Sequence, residues 1–407
     1  MRSVAEHQRV VAEMIRARPA VTVALTQAQG LVLAEDVVAG LALPVFDNSA
    51  MDGYAVRAED VSGATPEHPV VLPVAEDIPA GRTDELTLQP NTAHRIMTGA
   101  PVPAGATAIV PVEDTDGGVD SVTILVSRPA GAHIRRAGED VAPGTVVLCK
   151  GQEVTPAVLG LAAALGMAEL TVVPRQRVLV MSTGSELVRP GVPLRPGQIY
   201  ESNSIMLAGA VRDAGADLIA VATAEDDVAQ FSSILDRYAA DSDLIITSGG
   251  VSAGAYEVVK DAFGRDGMQG EEGVEFVKVA MQPGMPQGIG RVAGATIVTL
   301  PGNPVSALVS FEVFIRPALR RAMGLPDPER PRRPAILAES LTSPRGKRQF
   351  RRAILGAGEG GVASVTSYGP PASHHLRWLA SANGLLDIPE DVVEVSAGTE
   401  LQVWDLS

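Results

Sequence analysis

Cysteine is almost absent: Cys149 is the only one among 407 residues. A disulfide within the chain is therefore impossible, which fits a reducing compartment, the cytoplasm. Basic charge is also short, with 33 Lys and Arg against 48 Asp and Glu and a formal net charge of −15. That balance opposes nonspecific nucleic-acid binding and adsorption to anionic membranes. Long apolar runs are missing as well. The most apolar stretch, AVLGLAAALGMAEL, is opened by Pro156 and interrupted by Glu169, so it reads as a buried helix and not a membrane span. Glu6 and Glu13 sit among the first apolar residues and argue against a signal peptide. No GxGxxG dinucleotide fingerprint, GxxxxGK phosphate loop or HExxH motif occurs, and there is no Cys/His cluster, which disfavours a zinc site. Fixed-period repeats, heptads and low-complexity tracts are absent too.

What is present is a loop-rich globular chain, 46% hydrophobic with 41 Gly and 30 Pro spread along its length. Its texture changes several times. Ser3 followed by Glu6 forms a capping-box pattern, and Val4, Val11 and Ile15 mark a helical stripe behind it. From about 54 to 150, short apolar runs alternate with Gly/Pro turns, as in a small all-β module. Thr155-Pro156 is an N-cap with Pro at the first helical position. From about 174 to 325, RVLVM, DLIAVA, DLIITS, VEFVKVA and ATIVTL are five strand candidates separated by helix candidates, and one longer helix covers PVSALVSFEVFIRPALRRAMG. Alternating strand and helix predicts a doubly wound α/β domain with a mostly parallel sheet. After the proline-rich PDPERPRRP, short strands return. The fold class expected is thus α/β and β multidomain. The module boundaries are 1–44 with 140–173, 45–139, 174–325 and 326–407.

In an open parallel sheet, ligands bind outside the carboxyl ends of the strands. Three Gly-rich loops fall at such ends: STGSEL with Ser182, Thr183, Gly184, Ser185 and Glu186; SGGVSAG with Ser248, Gly249, Gly250 and Ser252; and PGNPVS with Pro301, Gly302, Asn303 and Pro304. Backbone amides in such loops can turn inward to hold an anion. The second strand ends in Glu225, Asp226 and Asp227. Anion loops beside carboxylates predict a phosphate-bearing ligand with a bridging Mg²⁺, which prefers oxygen ligands. One rival pattern exists. Gly250-Val251-Ser252-Ala253-Gly254 fits a hydrolase nucleophile elbow, with His374 and His375 downstream. Its serine sits several residues beyond the strand, later than that geometry requires.

One further stretch, PVFDNSAMDGYAVR at 44–57, is a poor helix and a poor strand, because Asp, Asn, Ser and Gly favour turns and local hydrogen bonds. This acidic loop, together with RIMTGAPVP, RRAGEDV, STGSEL, SGGVSAG, LPGNPVS and LASANGLL, occurs in the order seen in bacterial MoeA proteins and the E domain of gephyrin. The chain resembles this family, the molybdopterin molybdenumtransferases, over essentially its whole length. The resemblance implies an elongated fold with a MogA-like α/β domain plus small β-rich modules. It also implies a homodimer whose clefts each combine the α/β domain of one subunit with the acidic β module of the other. The implied reaction takes adenylylated molybdopterin and molybdate with Mg²⁺, releases AMP and yields molybdenum cofactor. Partners implied are the pterin-adenylylating protein and cofactor-receiving enzymes.

Residue roles follow from the same resemblance. Asp52 and Thr98 would face the cleft, with Asp47, Asn48 and Ser49 shaping the loop. Glu186, Asp226 and Glu257 would be catalytic carboxylates, with Asp52, Glu186 and Asp226 the metal ligands, and Lys278 a cleft lysine. Ser182 to Ser185, Ser248, Gly249, Gly250, Ser252 and Pro301 to Pro304 would bind the pterin and phosphate. The sequence departs from the family at Gln282-Pro283-Gly284-Met285-Pro286, where KPGKP is frequent. A lost cation of this kind is worth about 2.7–4 kcal/mol in transition-state stabilisation, with Lys260, Arg351 and Arg352 as possible substitutes. Lys347 and Glu257 also stand where Arg and Asp are usual. These changes keep open an alternative: a non-catalytic paralogue that binds or carries the pterin as a scaffold.

Overall fold

Along the strand Arg177–Thr183 (β1), consecutive apolar side chains divide between two cores. Val178 and Val180 enter one, Leu179 and Met181 the other. A strand apolar on both faces is a strand covered on both faces. The computed structural model describes residues 1–250, 258–263, 268–269, 272–358 and 361–407. These form two compact units, one of Met1–Thr22, Gly30–Ala34 and Thr171–Ser407, the other of Val23–Gln29 and Glu35–Leu170.

In the first unit, β1 joins Asp217–Ala224 (β2), Leu244–Ser248 (β3), Met268–Gln269 (β4), Glu272–Lys278 (β5), Pro286–Val292 (β6) and Ala295–Leu300 (β7). The sheet order is β2-β1-β3-β7-β6-β5-β4. Pairings among β2, β1, β3 and β7 are parallel. Helix Val4–Met14 (α1) and helix Asn203–Asp213 (α2) contribute Val4, Val11, Leu207 and Val211 to the core on one face. Val228–Tyr238 (α3) and Val258–Phe263 (α4) contribute Phe231, Leu235, Val258 and Val259 to the core on the other. The domain is doubly wound.

The sheet is less parallel than the sequence predicts. VEFVKVA forms β5, but β5 runs antiparallel to β6, and β6 antiparallel to β7. No strand is predicted over 286–292, because Gly288 and Gly290 dilute its apolar pattern. Both glycines are required there. A Cβ on Gly290 would lie 1.7 Å from the Gly273 carbonyl oxygen, and one on Gly288 2.0 Å from Thr299 Oγ1. The β6–β7 turn is the pair Ala293 and Gly294, both at positive φ (47° and 83°), as a two-residue hairpin turn of type I′ needs.

The long C-terminal helix is also interrupted. Pro304–Ser310 (α5) leads into a π-turn, Phe311–Ile315, before Arg316–Ala322 (α6). Pro317 has no N–H to give the carbonyl of Val313, one helical turn earlier. Gln8 Nε2 of α1 donates to that carbonyl instead, at 3.1 Å.

Beyond α6, five strands close on themselves: Arg332–Leu337, Arg348–Ala357, Ala363–Ser367, Gly384–Ile388 and Glu400–Asp405. Closure comes from Arg348–Ala357, which pairs with both Ala363–Ser367 and Gly384–Ile388. A small barrel results, around Ala335, Leu337, Ala353, Val365, Leu386 and Val403.

The second unit is built on a five-stranded sheet in the order Ala108–Pro111, Gly53–Val56, Ala93–Ile96, Val70–Ile78, Ser121–Ile124. Thr155 caps the helix Pro156–Ala164, its Oγ1 accepting from the Val158 amide at 3.3 Å. That helix is not the buried one the sequence predicts, since only Val158 and Ala162 are buried. Its apolar character comes largely from Ala and Gly, which have little side chain to hide. Among the described residues, no helix is long and apolar enough to cross a membrane.

Candidate functional site

The carboxyl ends of β1, β3 and β7 converge on one pocket of about 640 Å³. Thr183 ends β1 and Gly184 follows it, Gly249 and Gly250 follow β3, and Gly302, Asn303 and Pro304 follow β7; all line it. The loops touch closely. A Cβ on Gly249 (φ 96°) would lie 2.7 Å from the Thr183 carbonyl oxygen, and one on Gly302 3.5 Å from Gly249 Cα. Glycine at 249 is thus required twice, by conformation and by space.

Carboxylates complete the rim. Glu186 and Asp226 are exposed and line the pocket. Asp226 Oδ2 accepts from the Ser185 amide, while the Asp226 amide donates to Ser185 Oγ, both at 3.0 Å. The neighbouring Asp227 instead caps α3, accepting from the amides of Ala229 and Gln230. Two buried polar atoms on the lining, Thr183 Oγ1 and Asn203 Oδ1, have no partner among the described residues. Unpaired polar atoms at a pocket wall cost free energy until a ligand or water meets them.

Several backbone amides expected to hold an anion are already engaged. Gly184 N–H donates to the Ala224 carbonyl at 3.1 Å, Ser185 N–H to Asp226, and Gly249 N–H to the Leu300 carbonyl at 3.0 Å. The amides of Gly250, Gly302 and Asn303 have no such bond among the described residues. Beneath the loops, Ser182 and Ser248 are buried and hydrogen-bonded to each other at 3.0 Å.

In the second unit, the register Gly53↔Ile96 sets Asp52 beside the residues that follow Ile96. Thr98 donates to Asp52 Oδ1 twice, from its amide at 2.6 Å and its hydroxyl at 2.7 Å. The Thr98 amide first, then its hydroxyl, holds the Asp52 carboxyl below the usual carboxylate range. Gly53 is obligatory here, since a Cβ would fall 2.0 Å from the Val110 carbonyl oxygen. Asn48 and Ser49 bond within the loop, to the carbonyls of Phe46 and Met51. Asp47 ties the loop to Arg136 and to the Ala137 amide.

Comparison with known proteins is consistent along the whole chain. Family models match in three segments: the MoeA N-terminal region (domain I and II) over 2–166, a probable molybdopterin binding domain over 179–321, and the MoeA C-terminal region (domain IV) over 334–406. The chain is 80% identical to molybdopterin molybdenumtransferase 2 of Mycobacterium tuberculosis, covering 100% of both. It is 37% identical to molybdopterin molybdenumtransferase 1 of that organism, covering 99% of this chain and 98% of that relative. The chain belongs to the MoeA family. A crystal structure of the molybdopterin biosynthesis MoeA protein from Pyrococcus horikosii is similar in fold, with a TM-score of 0.79 at 28% identity, covering 100% of this chain and 99% of that one.

Other positions singled out within the MoeA motifs fall less neatly. Lys278 ends β5, exposed and opposite Pro286, and is not on the pocket lining. Pro301 is buried behind the lining. Ser252 and Glu257 lie outside the described residues. At the QPGMP departure, Gln282 Oε1 accepts from Gln349 Nε2 at 2.9 Å. The arginines near it are partly committed elsewhere: Arg352 donates to the carbonyls of His375 and Pro370, Arg351 to that of Thr342. Lining residues that the motifs did not flag include Tyr200, Glu201 and Asn203, and His374, noted only in the rival hydrolase pattern, lines the pocket as well. ESNS, at the start of α2, was a readable helix-entry signal for Glu201 and Asn203.

The residues present fit a Mg²⁺ ion in one particular way. Among the described residues, no group of three His, Cys, Asp or Glu side chains could hold a metal. Glu186 and Asp226 offer two carboxylates on one pocket, and Mg²⁺ typically binds through one or two carboxylates plus substrate phosphates and waters.

Proposed function

We propose that this chain is a molybdopterin molybdenumtransferase, inserting molybdate into adenylylated molybdopterin with release of AMP, the last step of molybdenum cofactor formation. The observation that carries the reading is 80% identity, over the full length of both chains, to a relative of that name. The pocket at the ends of β1, β3 and β7 supports it independently, with unpaired donors and acceptors beside two carboxylates.

In this reading, Thr183, Asn203 and the loops 182–185, 248–252 and 301–304 bind and orient the pterin and the phosphoanhydride. The amides of Gly250, Gly302 and Asn303 face the phosphate. Attack of a molybdate oxygen or a water at the phosphorus breaks the phosphoanhydride bond, and AMP leaves. Preorganised donors are the main expected catalytic contribution. Glu186 and Asp226 would hold Mg²⁺ together with substrate phosphate, and the ion would supply charge neutralisation at the phosphoanhydride. Asp52, kept ionised by Thr98, supplies a further carboxylate, with Glu257 and Lys278 in supporting roles.

The active protein is a cytoplasmic homodimer in which Asp52 and Thr98 of one subunit complete the cleft of the other. The pterin-adenylylating protein supplies its substrate, and cofactor-dependent enzymes receive its product. The four-module division 1–44 with 140–173, 45–139, 174–325 and 326–407 describes this assembly. Incubation with adenylylated molybdopterin, Mg²⁺ and molybdate, followed by removal of free metal, should leave molybdenum on the pterin by elemental analysis. Pterin bound without metal would favour the scaffold reading.

A further inference from the structure

Glu201 enters the pocket wall from the start of α2 and is only 5% exposed. Its Oε1 accepts the Ser204 backbone N–H at 2.8 Å and faces Ser182 Oγ at 2.8 Å. Its Oε2 is bonded to the Ser204 hydroxyl. Because the Ser204 amide proton already points at Oε1, that oxygen is an acceptor, and the Ser182 hydroxyl is the donor. A serine hydroxyl carries one proton. Ser182 has therefore spent its proton on Glu201, and its 3.0 Å bond to Ser248 takes the proton of Ser248. Ser248, on the pocket lining and 2% exposed, is left with no hydroxyl proton to offer a ligand there.

We propose that Glu201 is a specificity-determining positioning residue, which through Ser182 fixes Ser248 as a hydrogen-bond acceptor in the ligand site. The ligand group that docks at Ser248 is an N–H or O–H donor. Resting on the function proposed above, that group belongs to the hydrogen-bonding edge of the pterin ring. An unprotonated phosphate oxygen would meet lone pairs at Ser248, and the adjacent Gly249 amide is held by Leu300. The start of this loop therefore selects the heterocycle, and the anion is bound farther along.

Two measurements test this. Neutron diffraction from deuterated crystals of the full chain should place the Ser182 deuteron toward Glu201 and the Ser248 deuteron toward Ser182. A Ser248 deuteron pointing into the pocket, or a Ser182 deuteron pointing at Ser248, overturns the proposal without reference to any ligand. The second measurement is calorimetric binding of adenylylated molybdopterin and, separately, of AMP. Ser182→Ala and Glu201→Ala free the Ser248 proton to turn outward and should weaken adenylylated molybdopterin about tenfold or more, with AMP affinity unmoved. Glu201→Gln can keep its carbonyl oxygen against the Ser204 amide and should restore what Glu201→Ala loses. Equal weakening of both ligands, or no change in Ser182→Ala, contradicts the proposal. If the unmodified protein binds no adenylylated molybdopterin, the proposed function fails, and the neutron result decides the polarity alone.

Discussion

Asp52 and His7 carry opposite lessons about titration. Asp52 is exposed, and its carboxyl is held low by hydrogen bonds from Thr98. Thr98→Val removes the hydroxyl donor and keeps the amide. The Asp52 pKa should rise, and the acid limb of the kcat/KM profile should move to higher pH; an unmoved limb would remove Asp52 from the proposed chemistry. His7 is fully buried, edge-on to Phe314 with ring centroids 4.7 Å apart. Burial, with the charge of Arg2 adding, pushes its imidazole from 6.5 down to about 4. The unfolded chain then binds more protons than the folded one between these values. His7 thus contributes stability that is fully present above pH 6.5 and is lost as pH falls toward 4. His7→Leu should flatten the fall in urea midpoint over that window, and an unchanged slope would contradict this account.

At the scale of elements, the π-turn at Phe311–Ile315 is a local problem with a tertiary solution. Pro317 leaves the Val313 carbonyl without its helical donor, and Gln8 supplies one from α1. Gln8→Leu should cost about 1–3 kcal/mol in chemical denaturation, the penalty of an orphaned buried acceptor; a neutral result would mean the carbonyl finds another donor. The same elements mark how far the sequence could be read. β1, β3 and β7 were legible, because apolar residues on both faces leave few alternatives to a covered strand. β6 was not, because its glycines answer to Gly273 and Thr299, contacts that exist only after folding. Its Ala-Gly turn also lacks the Asn-Gly or Asp-Gly signature. The three loops were legible from their glycines and their place after strands. The place of Glu201 at the start of α2 was readable from ESNS, but its role was not, since that depends on a hydrogen-bond direction set by Ser182 and Ser204. The engagement of the Gly184 and Gly249 amides was equally invisible.

For the whole molecule, the proposed shared cleft makes a sharp prediction. Asp52→Ala and Asp226→Ala should each abolish activity while leaving thermal unfolding nearly unchanged, since both side chains are exposed. Mixed dimers of the two should regain activity, because one of their two clefts would hold both carboxylates. Random pairing would return about a quarter of the unmodified rate. No recovery in verified mixed dimers would place both residues in one subunit's site, or in none.

In the proposed function, this pocket couples molybdate insertion to cleavage of the adenylylated pterin. The most direct test is AMP release by the purified protein from adenylylated molybdopterin and Mg²⁺, with and without molybdate. Release should depend on molybdate and match the molybdenum incorporated mole for mole. Pterin binding without AMP release, at any molybdate concentration, would contradict the proposed function and identify a carrier with Gln282 as the first residue to change.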